Sequence, residues 1–190
     1  LLIRDASGGW STPWDETTRD YTELPLPPIV EKVITNRLKH LPASLRESLE
    51  GMAALGSQFD FTTLAAVSGM ELPATLEITR ELIHRSFLRE TGEGYRFEHD
   101  KIHQIVYAEI KAEKRIRLHR RIAAHLAETR PAEPNALAWQ FWRGEEWELA
   151  AHYNRLAGEN ALRVFANREA VTYFSRAAEA LDRLPPSADA

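Results

Sequence analysis

Between Leu88 and Ile110 the chain changes its period. Leu88-Arg89-Glu90-Thr91-Gly92-Glu93-Gly94-Tyr95 reads as two extended runs around a glycine-bearing turn. Ile102, Ile105, Val106 and Ile110 then recur at three- and four-residue spacing, one face of a helix. A hairpin this short cannot hold itself together and must lie against helices, so the handover restricts the fold to a helical domain bearing a small β-element. The junction is Tyr95-Arg96-Phe97-Glu98-His99-Asp100-Lys101-Ile102. Asp100 is read as the N-cap of the new helix, because its carboxylate can accept unpaired first-turn N–H groups. His99 then stands at the partly positive end of a helix dipole, where an anion such as a phosphate is favoured.

The rest of the chain is mostly helical in pattern. Residues 1–27 read as an N-terminal hairpin and connector, with Asp5-Ala6-Ser7-Gly8-Gly9 as the turn between Leu1-Leu2-Ile3-Arg4 and Trp10. Pro13, Pro25, Pro27 and Pro28 delay any regular helix until Ile29. Residues 28–112 read as a winged-helix domain. A helix from about Pro28 to Leu41 presents Ile29, Val33, Ile34, Leu38 and Leu41. A second, over about 43–55, turns Leu45, Leu49, Met52 and Ala53 inward and stops at Gly56. A short helix after Asp60 uses Leu64, Ala65 and Val67 and closes at Gly69. Another runs from near Pro73 through Leu76, Leu82 and Ile83 to about Ser86, before the hairpin centred on Gly92. The last three of these helices followed by a hairpin give the winged-helix order.

Residues 113–130 read as a linking helix, with Ile116, His119, Ile122, Ala123 and Leu126 in one stripe ending before Pro131. Residues 131–190 read as the start of a repeat array, with helices over Ala136–Trp142, Trp147 to about Arg163, and Asn167 to about Leu184. Gly158, Ala170, Phe174 and Ala177 fall at the small and aromatic positions of a tetratricopeptide repeat, although Asn154, Ala157 and Ala161 replace its first-helix signature. A generic helical hairpin is the alternative. Either arrangement leaves a face that needs another repeat to cover it. The expected fold class is therefore mainly α: a winged-helix domain of three helices plus a β-hairpin, followed by a TPR-like α-helical array.

Composition narrows the chemistry. The sequence has no cysteine, which excludes disulfides, thiolate catalysis and cysteine-ligated zinc. A net charge of −4 gives no global pull toward nucleic acid or anionic lipid. No apolar run reaches membrane-spanning length, so a cytoplasmic location without membrane contact is the expectation. No G-x-x-x-x-G-K-[ST] phosphate loop and no apolar strand ending in acidic residues occurs, so these residues alone are not expected to form an enzyme that hydrolyses ATP.

Several segments, in a shared order, resemble bacterial STAND regulators, the signal-transduction ATPases with numerous domains that include large LuxR-type transcription activators and cyclase-associated modules. They are Leu24-Pro25-Leu26-Pro27-Pro28-Ile29, Arg37-Leu38-Lys39-His40-Leu41-Pro42 and Ala53-Ala54-Leu55-Gly56-Ser57-Gln58-Phe59-Asp60. Tyr95 to Asp100 with Val106-Tyr107, Arg117 to Ala123, and Leu149-Ala150-Ala151-His152-Tyr153 through Ala157-Gly158 continue the likeness over nearly the whole chain. The resemblance implies an upstream nucleotide-binding domain in cis, ADP or ATP as the ligand of that parent protein but no cofactor in these residues, and repeats that bind a protein or small-molecule inducer. It implies a transcriptional or signalling output. It also aligns His99-Asp100 with a histidine-aspartate pair like the MHD motif of NB-ARC proteins, whose histidine approaches the β-phosphate of ADP in the closed state. By that match His99 is the ADP phosphate sensor and Asp100 the helix cap that supports it. Glu98, preceding the histidine, departs from the pattern and adds a carboxylate facing any phosphate.

Rival readings attach to the same residues. His99-Asp100-Lys101-Ile102-His103 approximates the H-E-x-x-H zinc motif, but the aspartate is a methylene short, no third ligand is evident, and no metal is expected. Lys111, Lys114, Arg115, Arg117, Arg120 and Arg121 form the basic cluster; interleaved Glu109 and Glu113 favour a solvated face or an acidic protein neighbour over nucleic acid. A DNA-binding winged helix would read with Glu77, Arg80, Glu81, His84 and Arg85, a mixed-charge set that suits protein better than phosphate. Trp139, Phe141, Trp142, Trp147 and Tyr153 are expected in the inter-helix core, with a partner groove as the alternative. A plain protein–protein scaffold is the remaining rival.

Overall fold

A computed structural model of the chain describes residues 3–4, 10–11 and 28–184, with side chains from residue 31 onward. The fold is mainly helical with one small three-stranded sheet, and it divides into two units, residues 1–37 and 38–190.

In the first unit, β1 (Ile3–Arg4) pairs antiparallel with β2 (Trp10–Ser11), Ile3 opposite Ser11. The expected turn at Asp5–Gly9 and the proline-rich connector lie outside the described residues. Helix α1 spans Pro28–Lys39 and begins at the proline whose fixed φ and missing N–H suit a first turn. Its buried positions are Ile34 and Leu38, whereas Val33, expected inward, is 54% exposed. Ile34, Leu38 and Leu41 form a single row at i, i+4 and i+7, and Val33 falls to one side of it.

The second unit takes in the last turn of α1 and continues with α2 (Ala43–Leu55), which buries Leu45, Leu49, Met52 and Ala53 as the periodicity predicts. After Gly56 the chain forms β3 (Gln58–Phe59), a strand that two residues of sequence could not announce. Asp60 caps α3 (Phe61–Ser68): one carboxylate oxygen accepts from the Thr63 N–H at 2.8 Å, and Gly69 closes the helix in the left-handed region at φ 71°. In α4 (Leu72–His84) the fully buried positions are Leu82, Thr75 and Thr79, while Leu76 and Ile83 are only half-buried. Each threonine can be buried because its hydroxyl donates to a carbonyl four residues back, Thr75 to Glu71 and Thr79 to Thr75 at 2.7 Å.

The hairpin follows as β4 (Leu88–Thr91) and β5 (Gly94–Phe97) around Gly92-Glu93. Strand β3 joins the free edge of β5, Phe59 opposite Tyr95, to give the order β3-β5-β4. Phe87, Leu88 and Phe97 are buried, so the hairpin is held by the helical core as the length argument requires.

From β5 the chain passes straight into α5 (Asp100–Glu109) and then α6 (Ala112–Thr129). Helix α6 buries Leu118, His119, Ile122, Ala123 and Leu126, and packs against both α2 and α3. Its end is tied to the start of α3 through Arg130, whose Nη2 donates to Asp60 at 2.6 Å. Helices α7 (Pro134–Arg143), α8 (Trp147–Arg163) and α9 (Asn167–Asp182) continue from there, each packed on its neighbour. The two turns between them share one geometry. Glu145 and Phe165 both take positive φ, 55° and 58°, and the following N–H in each returns to the carbonyl five residues back. Ala170, Ala177 and Ala180 of α9 face α8, and the ring of Phe174 lies over Gly158. Beside this buried row α9 carries Val171, Phe174, Ala178 and Leu181, all exposed.

Candidate functional site

At the corner between β5 and α5 the helix starts one residue earlier than the sequence suggested. His99 itself occupies the N-cap position, extended at φ −140° and ψ 141°, and its side chain makes no capping hydrogen bond. Asp100, expected as the cap, is the first helical residue, and its carboxylate is turned to Arg96 at 3.3 Å. An acid in the first turn still complements the dipole, but it leaves the capping N–H groups without a side-chain acceptor. The His99 side chain is exposed and makes no hydrogen bond among the described residues. Arg96, which sequence reasoning did not single out, is a cation of this corner, and its buried Nε has no acceptor among the described residues. Glu98 is half-buried beside it, with its backbone N–H donated to the Phe87 carbonyl.

The two histidines of the His99–His103 pair part company. His103 lies 3.0 Å from the Ala53 carbonyl through Nε2, so that nitrogen carries the proton and donates. Its ring packs edge-on against Phe97 and stacks with Tyr107. His99 meets solvent. Among the described residues no group of three metal-binding side chains is gathered.

Below the corner runs a polar chain through the apolar core. Tyr107 Oη lies 2.8 Å from His119 Nε2, and His119 Nδ1 lies 2.6 Å from Gln140 Oε1. Gln140 Nε2 donates to the Ala54 carbonyl at 3.4 Å. The amide oxygen can only accept, so His119 must donate from Nδ1 and accept the Tyr107 proton at Nε2. Every link is then oriented, and α2, α5, α6 and α7 share one directed chain. Burial pushes the His119 pKa down to about 4, helped by the guanidinium groups of Arg143 and Arg115 and opposed by the Gln140 bond. The same burial raises the Tyr107 hydroxyl against those two cations. His119 was legible as a stripe residue of α6, but its partners were not, because Gln140 is 21 residues away and Ala54 is 65.

The basic cluster does not act as one face. Lys114 pairs with Glu50 at 2.8 Å and with Glu47, Arg120 pairs with Glu146 and donates to the Gly144 carbonyl, and Arg115 lies over the Tyr107 ring. Arg117 and Arg121 keep no carboxylate partner among the described residues. On α4, Arg85 pairs with Glu81 at 2.6 Å, which neutralises part of the surface a DNA reader would use. The aromatic group divides likewise. Phe141 is buried and stacked on Tyr153, while Trp139 is at the surface under the guanidinium groups of Arg143 and Arg176.

No family model matches the chain, and searches of curated proteins and of solved structures returned no match.

Proposed function

We propose that this chain is a non-catalytic regulatory segment of a STAND-type ATPase, in which a winged helix restrains an upstream nucleotide-binding domain and passes its state to TPR-like repeats. The order α2-β3-α3-α4-β4-β5, with β3 on the far edge of β5, supports the winged-helix reading, since it supplies both the helical triplet and a wing anchored by a third strand. The Gly158–Phe174 contact and the twice-used turn support the repeat reading. The exposed stripe Val171, Phe174, Ala178 and Leu181 has the spacing of a face that a further helix would cover.

One observation carries the switching role: His99 stands exposed at a helix N-terminus that its side chain does not cap, with no partner of its own among the described residues and Arg96 close by. An imidazole so placed is available to a diphosphate held by a neighbouring module. A charge-assisted hydrogen bond made in only one of two states is worth about 1.5–3 kcal/mol. That shifts their ratio by roughly ten- to a hundred-fold, enough for a switch. The test is His99→Ala in the protein that carries this segment behind a phosphate-loop domain. ADP release should accelerate, or basal output rise, by about tenfold or more; if both stay at wild-type values, His99 has no part in sensing.

The DNA-binding alternative predicts a salt-dependent mobility shift with this segment alone. The Arg85–Glu81 pair and interleaved Glu77 lead us to expect none at physiological salt.

A further inference from the structure

A cleft of about 570 Å³ opens between α2, α3, α4 and α6, away from the His99 corner. Its floor is aliphatic, built from Leu55, Leu64, Val67, Ile78 and Leu118, and no aromatic ring lines it. Its rim is basic. One face of α6 brings Lys114, Arg117 and Arg121 to the edge. Lys114 is committed to Glu50 and to Glu47, the acidic residue of the rim, which leaves the Arg117 and Arg121 guanidinium groups one helical turn apart without a carboxylate among the described residues.

The opposite wall contains a second signal. Gly51 lies in the middle of α2, where glycine weakens a helix relative to alanine. A glycine kept inside a helix usually permits a close approach by the chain's own atoms. Here a Cβ at Gly51 would meet nothing within 4 Å, and the open space it would enter is the cleft. Gly158 and Gly94 show the contrast, since a Cβ at either would strike Phe174 or the Phe59 backbone. Nothing in the fold of this chain requires the missing methyl at residue 51. An occupant lying along α2 would.

We infer that the cleft binds a small aliphatic amphiphile with a carboxylate head, its tail over Leu55, Leu64 and Val67 along Gly51 and its head held by Arg117 and Arg121. The volume is that of a small-molecule site. The absence of rings favours an alkyl tail over a flat aromatic one. Two planar guanidinium forks favour a bidentate anion over a neutral polar head. The inference is independent of any upstream ATPase.

Calorimetric titration of the chain with decanoate, below its micellar range, tests it. Saturable one-to-one binding is expected, with decanol at least tenfold weaker. Arg117→Ala and Arg121→Ala should each weaken decanoate by about three- to tenfold. Gly51→Ala should raise the melting temperature of the free chain by a few degrees, because alanine favours the helix, and yet weaken the ligand. Gly51→Leu should abolish binding while the chain stays folded by circular dichroism. Absence of saturation, equal binding of decanol, or wild-type affinity in Gly51→Leu or in both arginine variants would each overturn the assignment.

Discussion

The region from α2 to β5 and the region from α7 to α9 solve the same burial problem in opposite ways. The first closes on itself. Three helices and a three-stranded sheet surround Leu49, Met52, Leu82 and Phe97, none more than 0% exposed, and even two threonines are drawn in. The second is a stack. Its inward faces are lined by small residues, Ala150, Ala157, Ala170 and Ala180, while Val171 and Leu181 of α9 remain 65% and 58% exposed. Side chains enclosed on several sides by helices and sheet have little room to give way. A stack has one seam per helix pair and an open end. Between them lies the Tyr107–His119–Gln140 chain, a polar joint where apolar packing alone would not fix the orientation of α7 on α2.

Glycine substitutions offer the sharpest contrast. Gly94 sits in β5 at φ +138°, and a Cβ there would lie 2.6 Å from the Phe59 carbonyl oxygen. The obstacle is backbone of a paired strand, so Gly94→Ala should cost roughly 3–5 kcal/mol, measured by urea denaturation.

The joint should respond to acid. His119 binds its proton with a pKa of about 4 in the folded chain and at the ordinary histidine value of 6.5 when unfolded, so the unfolded state takes up protons first as pH falls. The stability contributed by the neutral ring is complete above about 6.5 and declines as pH drops toward about 4, a loss of about 3 kcal/mol. Asp60, whose carboxyl burial would raise but whose bonds to Thr63 and Arg130 lower to about 2, adds its loss only in more acidic solution. Melting curves from pH 7 to pH 4 should show the decline in the wild type and a much flatter profile in His119→Gln. Equal slopes would remove the histidine from the joint.

The smallest effect belongs to the stack. A Cβ at Gly158 would lie 2.8 Å from the Phe174 ring, closer than atoms tolerate. That ring is at the surface, 36% exposed, and can swing outward, while alanine improves the helix. Gly158→Ala should therefore change stability by less than about 1 kcal/mol. If its denaturation midpoint fell as far as that of Gly94→Ala, the α8–α9 seam would be as closed as the sheet, and the contrast between the regions would fail.

Helices were the most legible part of this chain. The boundaries of α2 and α8 and the hairpin around Gly92 follow from capping prolines, glycines and apolar spacing within a dozen residues. The candidate corner was legible as a hairpin meeting a helix, but the cap fell on His99, because Asp100 is drawn to Arg96 instead. Strand β3 was missed because two residues carry no period and exist as a strand only by pairing with β5.

What the sequence determined by itself is local: where each helix starts and stops, that a short hairpin must rest on helices, and that no membrane-length apolar helix forms among the described residues. These follow from forces acting over a few residues. What only the tertiary structure decided is which polar groups meet. The proton order along Tyr107, His119 and Gln140, the solvent exposure of His99 against the burial of His103, and the open space before Gly51 all depend on residues brought together from distant parts of the chain. Burial makes an unpaired polar group costly and a vacant apolar wall available, and burial is a property of the packed molecule, not of any stretch of its sequence.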